Sequence, residues 1–246
     1  MFDSHVILSR EQFHPAIYCA QAKQTGLSGL CFTEPVVYSR DELARHAPQR
    51  MPDFAVRRAI EVVYNAETCD RLALELAGIE CDAVVNTVKS VDGVSLDDTA
   101  YYAGQSRDSA YRRYLEKVYD SLDAPFDFQI LGPITAVNKY AFYPSPALEW
   151  REFPEELDSI LMRVILLGKA LEVDASLLSR FAQPSPSVSV LKRYRELGGE
   201  LLTVGSFTHL PEHVGHRLAD AHALLKSLGF AYAAEYTMGK AEMQPL

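Results

Sequence analysis

Short apolar runs alternate with longer amphipathic stretches about seven times along the chain. This order constrains the fold more than any other feature. Strand, helix, strand in repetition marks parallel βαβ units, whose crossover helices cover a sheet. The strands read as 2–8, 27–33, 57–63, 82–88, 126–131, 171–175 and 201–205, with a terminal strand at 232–238. The helices read as 11–25, 66–77, 101–122, 154 to about 170, 189–197 and 216–228. Ile17, Ala20 and Ala22 are among the apolar positions of the first. Gly26, Gly78, Gly198 and Gly229 stop helices, and Pro154 opens one, because a first turn tolerates proline. No linker-like tract divides the chain, and 142–154 and 184–186 read as loops inside one domain, 1–246. The reading is an α/β fold, most economically a closed barrel of seven or so strands. A doubly wound open sheet has the same periodicity.

Composition narrows the function classes. With 246 residues the chain can bury roughly 70–75% of its unfolded surface, so it needs no covalent staple. Lys and Arg number 24 against 33 Asp and Glu, a formal charge of −9. That balance argues against a nucleic-acid partner, which selects a basic stripe. No apolar run approaches the ~20 residues of a membrane span, and the N-terminus lacks a signal-peptide pattern. Cys19, Cys31, Cys69 and Cys81 contain no C-x-x-C pair and read as reduced, mostly buried thiols of a cytoplasmic protein.

Barrel active sites collect at the C-terminal ends of the strands. The polar residues there are His5, Thr33-Glu34, Glu61, Lys89-Ser90, Thr135, Asp174, and Ser206 with Thr208-His209. Several surrounding segments stand in one order: Asp3-Ser4-His5-Val6-Ile7, Gly29-Leu30-Cys31-Phe32-Thr33-Glu34-Pro35, Ile60-Glu61-Val62-Val63-Tyr64 and Asn86-Thr87-Val88-Lys89-Ser90-Val91-Asp92-Gly93. Leu131-Gly132-Pro133-Ile134-Thr135, Leu171-Glu172-Val173-Asp174, 191–200 and Thr203-Val204-Gly205-Ser206-Phe207-Thr208-His209 follow. Together they resemble the polymerase-and-histidinol-phosphatase (PHP) superfamily, in its histidinol-phosphatase branch, over nearly the whole chain. The resemblance implies a distorted TIM-like (β/α)7 barrel of the PHP type. It also implies two or three divalent metals at the mouth, where a metal-activated hydroxide hydrolyses the phosphomonoester of L-histidinol.

The metal ligands depart from that pattern. The family's Asp-x-His-x-His ends here in Ile7, its Thr-Glu-His in Pro35, and its Ser-Val-His in Lys89. Its Gly-His-Ile-Asp has Pro133 for the His, and its Gly-Ser-Asp-Ala-His has Phe207 for the Asp. Only His5, Glu61 and His209 keep the family's ligand type; His14 stands near another His-bearing stretch, at shifted spacing. Ile, Pro and Phe side chains bring no lone pair, and Lys brings one only when deprotonated, which is costly at neutral pH. A multinuclear site needs carboxylates and imidazoles to offset its charge, so the expectation is weak activity or none.

Glu61, left without cations, then needs a partner, and Lys89 is expected within ion-pair reach of Glu61 or Glu34; the alternative leaves Lys89 in solvent. Glu34, Lys89, Lys139 and Asp174 are candidate ligand-pocket residues. Lys139 follows strand 5, where the family often carries a basic residue; Asp174 could equally be a polar layer of the barrel. His213, His216 and His222 read as surface or helix-cap residues, and the tyrosines of 101–119 as core-facing. The implied cofactor is none, or at most one divalent Zn, Mn or Fe held by His5, Glu61 and His209. Those three could otherwise be remnants bonded to each other or to backbone. The implied partner is a small phosphorylated or amino-acid-like ligand, with no nucleic acid and no membrane; the oligomeric state is open. Two alternatives stand beside this one: a working single-metal phosphomonoesterase, and a structural or regulatory interaction protein.

Overall fold

The computed structural model describes residues 1–8, 13–35 and 53–246. Seven parallel strands form one sheet in the order β1 (Phe2–Ile7), β2 (Gly29–Pro35), β3 (Ala55–Val63), β4 (Ala83–Thr87), β7 (Ile130–Leu131), β8 (Ala170–Asp174) and β9 (Leu202–Gly205). β5 (Ser90–Val91) and β6 (Val94–Ser95) make a small hairpin beyond β4. The last strand returns to the first. A parallel bridge joins Val6 to Thr208, Phe207 N–H donates to the His5 carbonyl at 2.9 Å, and Ile7 N–H donates to the Thr208 carbonyl at 2.8 Å. The architecture is thus a nearly closed TIM-like barrel, and the open-sheet alternative is set aside.

Two residues make that seam possible. Asp3 is fully buried, and its carboxylate spans β1 and the chain after β9 by accepting from Ser206 N–H and Gly215 N–H, each at 2.9 Å. Gly205 lies against His5 so closely that a Cβ there would overlap the His5 Cβ. Side chains alternate along the strands. One set, including Leu30, Phe32, Ile60, Val62, Leu171, Val173, Leu202 and Val204, packs under the helices in the main core. The other set is small at the strand starts (Cys31, Ala59, Ala83, Ala170) and packs with Phe2, Ala234 and Tyr236. Higher up it becomes polar, at Thr33, Glu61, Glu172 and Thr203, and that change creates a mouth.

Element boundaries shift from the sequence reading for local reasons. α1 (Pro15–Gln24) starts at a proline and is capped by His14, whose Nδ1 accepts from Ala16 N–H at 3.2 Å; the expected start at Glu11 lies outside the described residues. Its buried face is Tyr18, Cys19 and Ala22, while Ile17 and Ala20 are exposed. α2 (Cys69–Leu76) falls inside its expected range. The single helix expected over 101–122 is two. α3 (Thr99–Tyr102) stops before Gly104, whose φ of +73° leaves helical space, and α4 (Arg107–Ser121) restarts with Ser106 Oγ accepting from Ser109 N–H. Tyr101, Tyr102, Tyr111 and Tyr114 are core residues as expected, but Tyr119 is exposed. The next helix, α5 (Pro154–Leu166), ends early at Gly168, and 126–131 contributes only two residues to the sheet.

α6 (Leu178–Phe181), α7 (Val188–Glu196) and α8 (Leu218–Ser227) complete the helices. The terminal strand is one arm of an antiparallel hairpin, β10 (Tyr232–Thr237) with β11 (Lys240–Pro245), which underlies the barrel. Among the described residues no helix is long and apolar enough to cross a membrane. All four cysteines are free; Cys19 and Cys31 are buried, Cys69 and Cys81 half-buried.

Candidate functional site

The strand ends bring most of the expected residues to one rim. Lys89 Nζ lies 2.6 Å from Glu61 Oε2, with the lysine half exposed and the carboxylate largely buried. The expected ion pair therefore forms, and it forms with Glu61. Glu34 is buried on the neighbouring strand and lies 3.4 Å from Arg58 Nε, so it has a partner in the barrel wall as well as a place near the rim. An ammonium at 2.6 Å offsets a carboxylate that burial would otherwise penalise.

His5 is buried, and its Nδ1 lies 2.8 Å from Glu172 Oε1. Burial pulls the imidazole down, the Glu172 carboxylate lifts it more, and the net shift is upward. Burial likewise lifts Glu172, with His5 opposing. Glu172 was not among the candidate residues, although it precedes Asp174 by two and therefore shares its face of the strand. Phe207 stacks on the imidazole, ring centroids 3.9 Å apart and planes within 17°. Its φ of 53° holds the backbone in the left-handed region at the point where the chain leaves β9. Ile7, Pro35, Pro133 and Phe207 are all partly accessible.

Asp174 is buried, and its Oδ1 accepts from Ser176 N–H at 2.8 Å and Ser176 Oγ–H at 2.5 Å. Burial raises its carboxyl, against those bonds and the nearby charge of Lys139. Lys139 ends a 3₁₀ turn (Ala136–Lys139), and its carbonyl accepts from Arg180 at 3.2 Å. His209 is exposed, with its carbonyl accepting from Tyr18 Oη at 2.7 Å. Partial burial, then the charges of Lys139, His5 and Lys89, hold its imidazole below the usual range. Lys89 and Lys139 thus bring positive charge to the mouth and Glu61 and Asp174 negative, with the His209 imidazole held toward its neutral form beside them. Among the described residues, no three His, Cys, Asp or Glu side chains stand where they could hold a metal ion together.

The remaining histidines divide. His216 Nε2 lies 2.9 Å from Ser179 Oγ on the surface, and the His213 ring is 5.7 Å from that of His216. His222 is not a surface or capping residue: it is buried on the inward face of α8. Burial pushes its imidazole down to about 4.

No protein-family model matches the chain. A histidinol-phosphatase of Lactococcus lactis subsp. lactis is 22% identical over 96% of this chain and 93% of its own length. A probable histidinol-phosphatase of Thermotoga maritima is 25% identical over 87% of this chain and 85% of that protein. Among solved structures, the Lactococcus lactis histidinol phosphate phosphatase, complexed with zinc, L-histidinol and phosphate, superposes with a TM-score of 0.86. It is 20% identical and covers 98% of both chains. A chain of archaeal ribonuclease P superposes with a TM-score of 0.51 at 10% identity, covering 94% of this chain and 83% of that one. The barrel and its likeness to histidinol-phosphatases therefore extend over almost the entire sequence.

Proposed function

We propose that this histidinol-phosphatase-like chain has replaced a metal cluster at its barrel mouth by side-chain charge, and that it binds a small phosphorylated or amino-acid-like ligand with weak hydrolysis or none. The observation that carries this reading is the contact of Lys89 with Glu61 at 2.6 Å. By the sequence resemblance, Lys89 stands at a ligand position and Glu61 is a retained ligand. An ammonium bonded to that carboxylate supplies the positive charge a cation would bring, and it competes with any cation for the same oxygen. Ile7, Pro35, Pro133 and Phe207 add no side-chain lone pairs at the other substituted positions, so the donor set does not fit a cluster of two or three metals. Where such ions are bound, their chemistry is to activate water and to polarise the phosphoryl oxygens. What this chain's residues would do is receive an anion: Lys89 and Lys139 bring positive charge, His209 can donate a ring N–H as a neutral imidazole, and Asp174 with its second carboxylate oxygen can accept from an ammonium on the same ligand.

A second reading has one observation in its favour. His5 presents Nδ1 to Glu172, and a carboxylate on one ring nitrogen is how metal-bound histidines are commonly oriented. A single Zn, Mn or Fe at His5, Glu61 and His209 would use that arrangement, although the three side chains would first have to draw together, since they do not stand within reach of one ion. Metal analysis of the freshly purified protein, with hydrolysis of histidinol phosphate assayed in excess manganese or zinc, separates the readings. The first expects substoichiometric metal and no metal-stimulated turnover. Stoichiometric metal with turnover abolished by His209→Ala establishes the second. A thermal-shift series with histidinol phosphate, histidine and inorganic phosphate then tests ligand binding; a flat response to all three points to an interaction protein instead.

A further inference from the structure

A second cavity lies on the strand-start side of the barrel, away from the mouth. It holds about 140 Å³ between the first strand, α8 and the C-terminal hairpin, with Ser4, Val204, His222 and Ala234 on its buried side and the exposed Met1 and Gln244 at its opening. Two of these carry unanswered polar atoms. His222 and Ser4 are each only 7% exposed, yet among the described residues neither ring nitrogen of His222 nor the Ser4 hydroxyl has a hydrogen-bond partner. A buried polar group without a partner costs about 1–3 kcal/mol, and here three such atoms belong to side chains lining one pocket.

We propose that this cavity is a binding site for a small uncharged molecule with a hydrogen-bonding head, donor and acceptor together, on an apolar body. The volume suits about six non-hydrogen atoms, since a ~150 Å³ cavity accepts benzene. Phe2, Val204 and Ala234 offer the apolar wall. A neutral imidazole offers one N–H and one lone pair, and the Ser4 hydroxyl offers both. Charged ligands fit worse. An anion meets the Glu235 carboxylate and an uncharged His222, whose imidazole is held far below neutral pH by burial and then by the N-terminal ammonium and Lys226. That ammonium, at the opening, is a nearby charge that favours the anion. A cation that approaches Glu235 also meets the charges of Arg57 and the N-terminal ammonium, both of which act on that carboxylate. The site does not depend on what happens at the mouth.

The test uses the full chain and reads the ring-proton resonances of His222, assigned by their loss in His222→Gln. Isobutyramide, isobutyrate and isobutylammonium are titrated separately. Isobutyramide alone is expected to shift those resonances saturably. Ala234→Leu, which fills the cavity from the hairpin, is expected to weaken that binding at least about tenfold, and Ser4→Ala, which keeps the volume and removes the hydroxyl, about threefold or more. The proposal is overturned if no probe gives a saturable shift, the outcome for a cavity holding water only. It is equally overturned if a charged probe binds as well as the amide, or if neither variant changes the affinity.

Discussion

Replacing Lys89 by Met removes the ammonium and keeps most of the stem. The consequence can be worked from the contact. Two unit charges 2.6 Å apart attract by about 6 kcal/mol at an effective dielectric of ~20. Most of that is offset by desolvating Glu61 and by ordering a lysine that is half exposed, since lysine carries about 2 kcal/mol of rotamer entropy. Exposed pairs net about 0–1 kcal/mol, whereas breaking a buried pair costs about 3–5 kcal/mol. A pair with one buried and one half-exposed partner falls between, so Lys89→Met should destabilise by about 2 kcal/mol. Glu61→Gln should cost less, about 1 kcal/mol, because the stranded lysine can turn to water. The double variant should recover most of the loss, because a neutral amide needs no counter-charge. Urea unfolding of the four proteins gives the coupling energy directly. A Lys89→Met variant within about 0.5 kcal/mol of the parent, with coupling equally small, would show that the ammonium is not what balances Glu61, and the proposal for the mouth would lose its support.

Three further predictions follow from buried groups and a cap. His222 has a folded pKa of about 4 against 6.5 when unfolded; the unfolded chain takes up the proton first, so this stability contribution is whole above pH 6.5 and is lost as pH falls from there through about 4. The loss is about 3 kcal/mol, and His222→Phe should flatten the stability profile in that window by chemical denaturation. Asp3→Ala should cost about 3 kcal/mol, because Ser206 and Gly215 N–H groups 2.9 Å from its carboxylate are left unanswered at the closing seam; hydrogen exchange at β1 and β9 should accelerate first. Ser106→Ala should cost about 1 kcal/mol in thermal or urea unfolding, since Ser106 Oγ caps α4 through Ser109 N–H.

Much of this fold is legible because its strands are short, apolar and separated by capped helices. The glycines at 26, 198 and 229 end helices in the left-handed conformation that only glycine adopts freely. What periodicity missed has local causes. Gly104 interrupts a pattern that is otherwise helical on both sides, and a single glycine is no certain break. The β11 strand, Lys240–Pro245, is wholly exposed and so carries no buried face to betray it. At the site, the pairing of Lys89 with Glu61 was legible from charge and strand order. Glu172 was not, because an acid inside a strand reads as a solvent-facing residue until a histidine from another strand is placed against it. His222 failed for the converse reason: a histidine on a helix of mixed polarity carries no sign of which face turns inward.

The barrel's stability and the chemistry of its mouth draw on different residues. The main core packs outward-facing strand residues such as Ile60, Leu171 and Val204 against helices, and the strand starts are closed by Phe2 and Tyr236. None of these is among the positions that the sequence resemblance reads as substituted ligands. On the proposed reading, a histidine exchanged for Ile7 or Pro133 at a partly accessible strand end would ask little of the core, and an imidazole exchanged for Lys89 would be offset by the Glu61 carboxylate. Fold likeness at a TM-score of 0.86 is what such exchanges would leave behind whether or not hydrolysis survived them. The discriminating variable is the charge partner of Glu61: a bound ion there would have to displace an ammonium at 2.6 Å. Stoichiometric metal in the purified protein, with Lys89 turned away from Glu61, would refute the proposed replacement of a metal by Lys89.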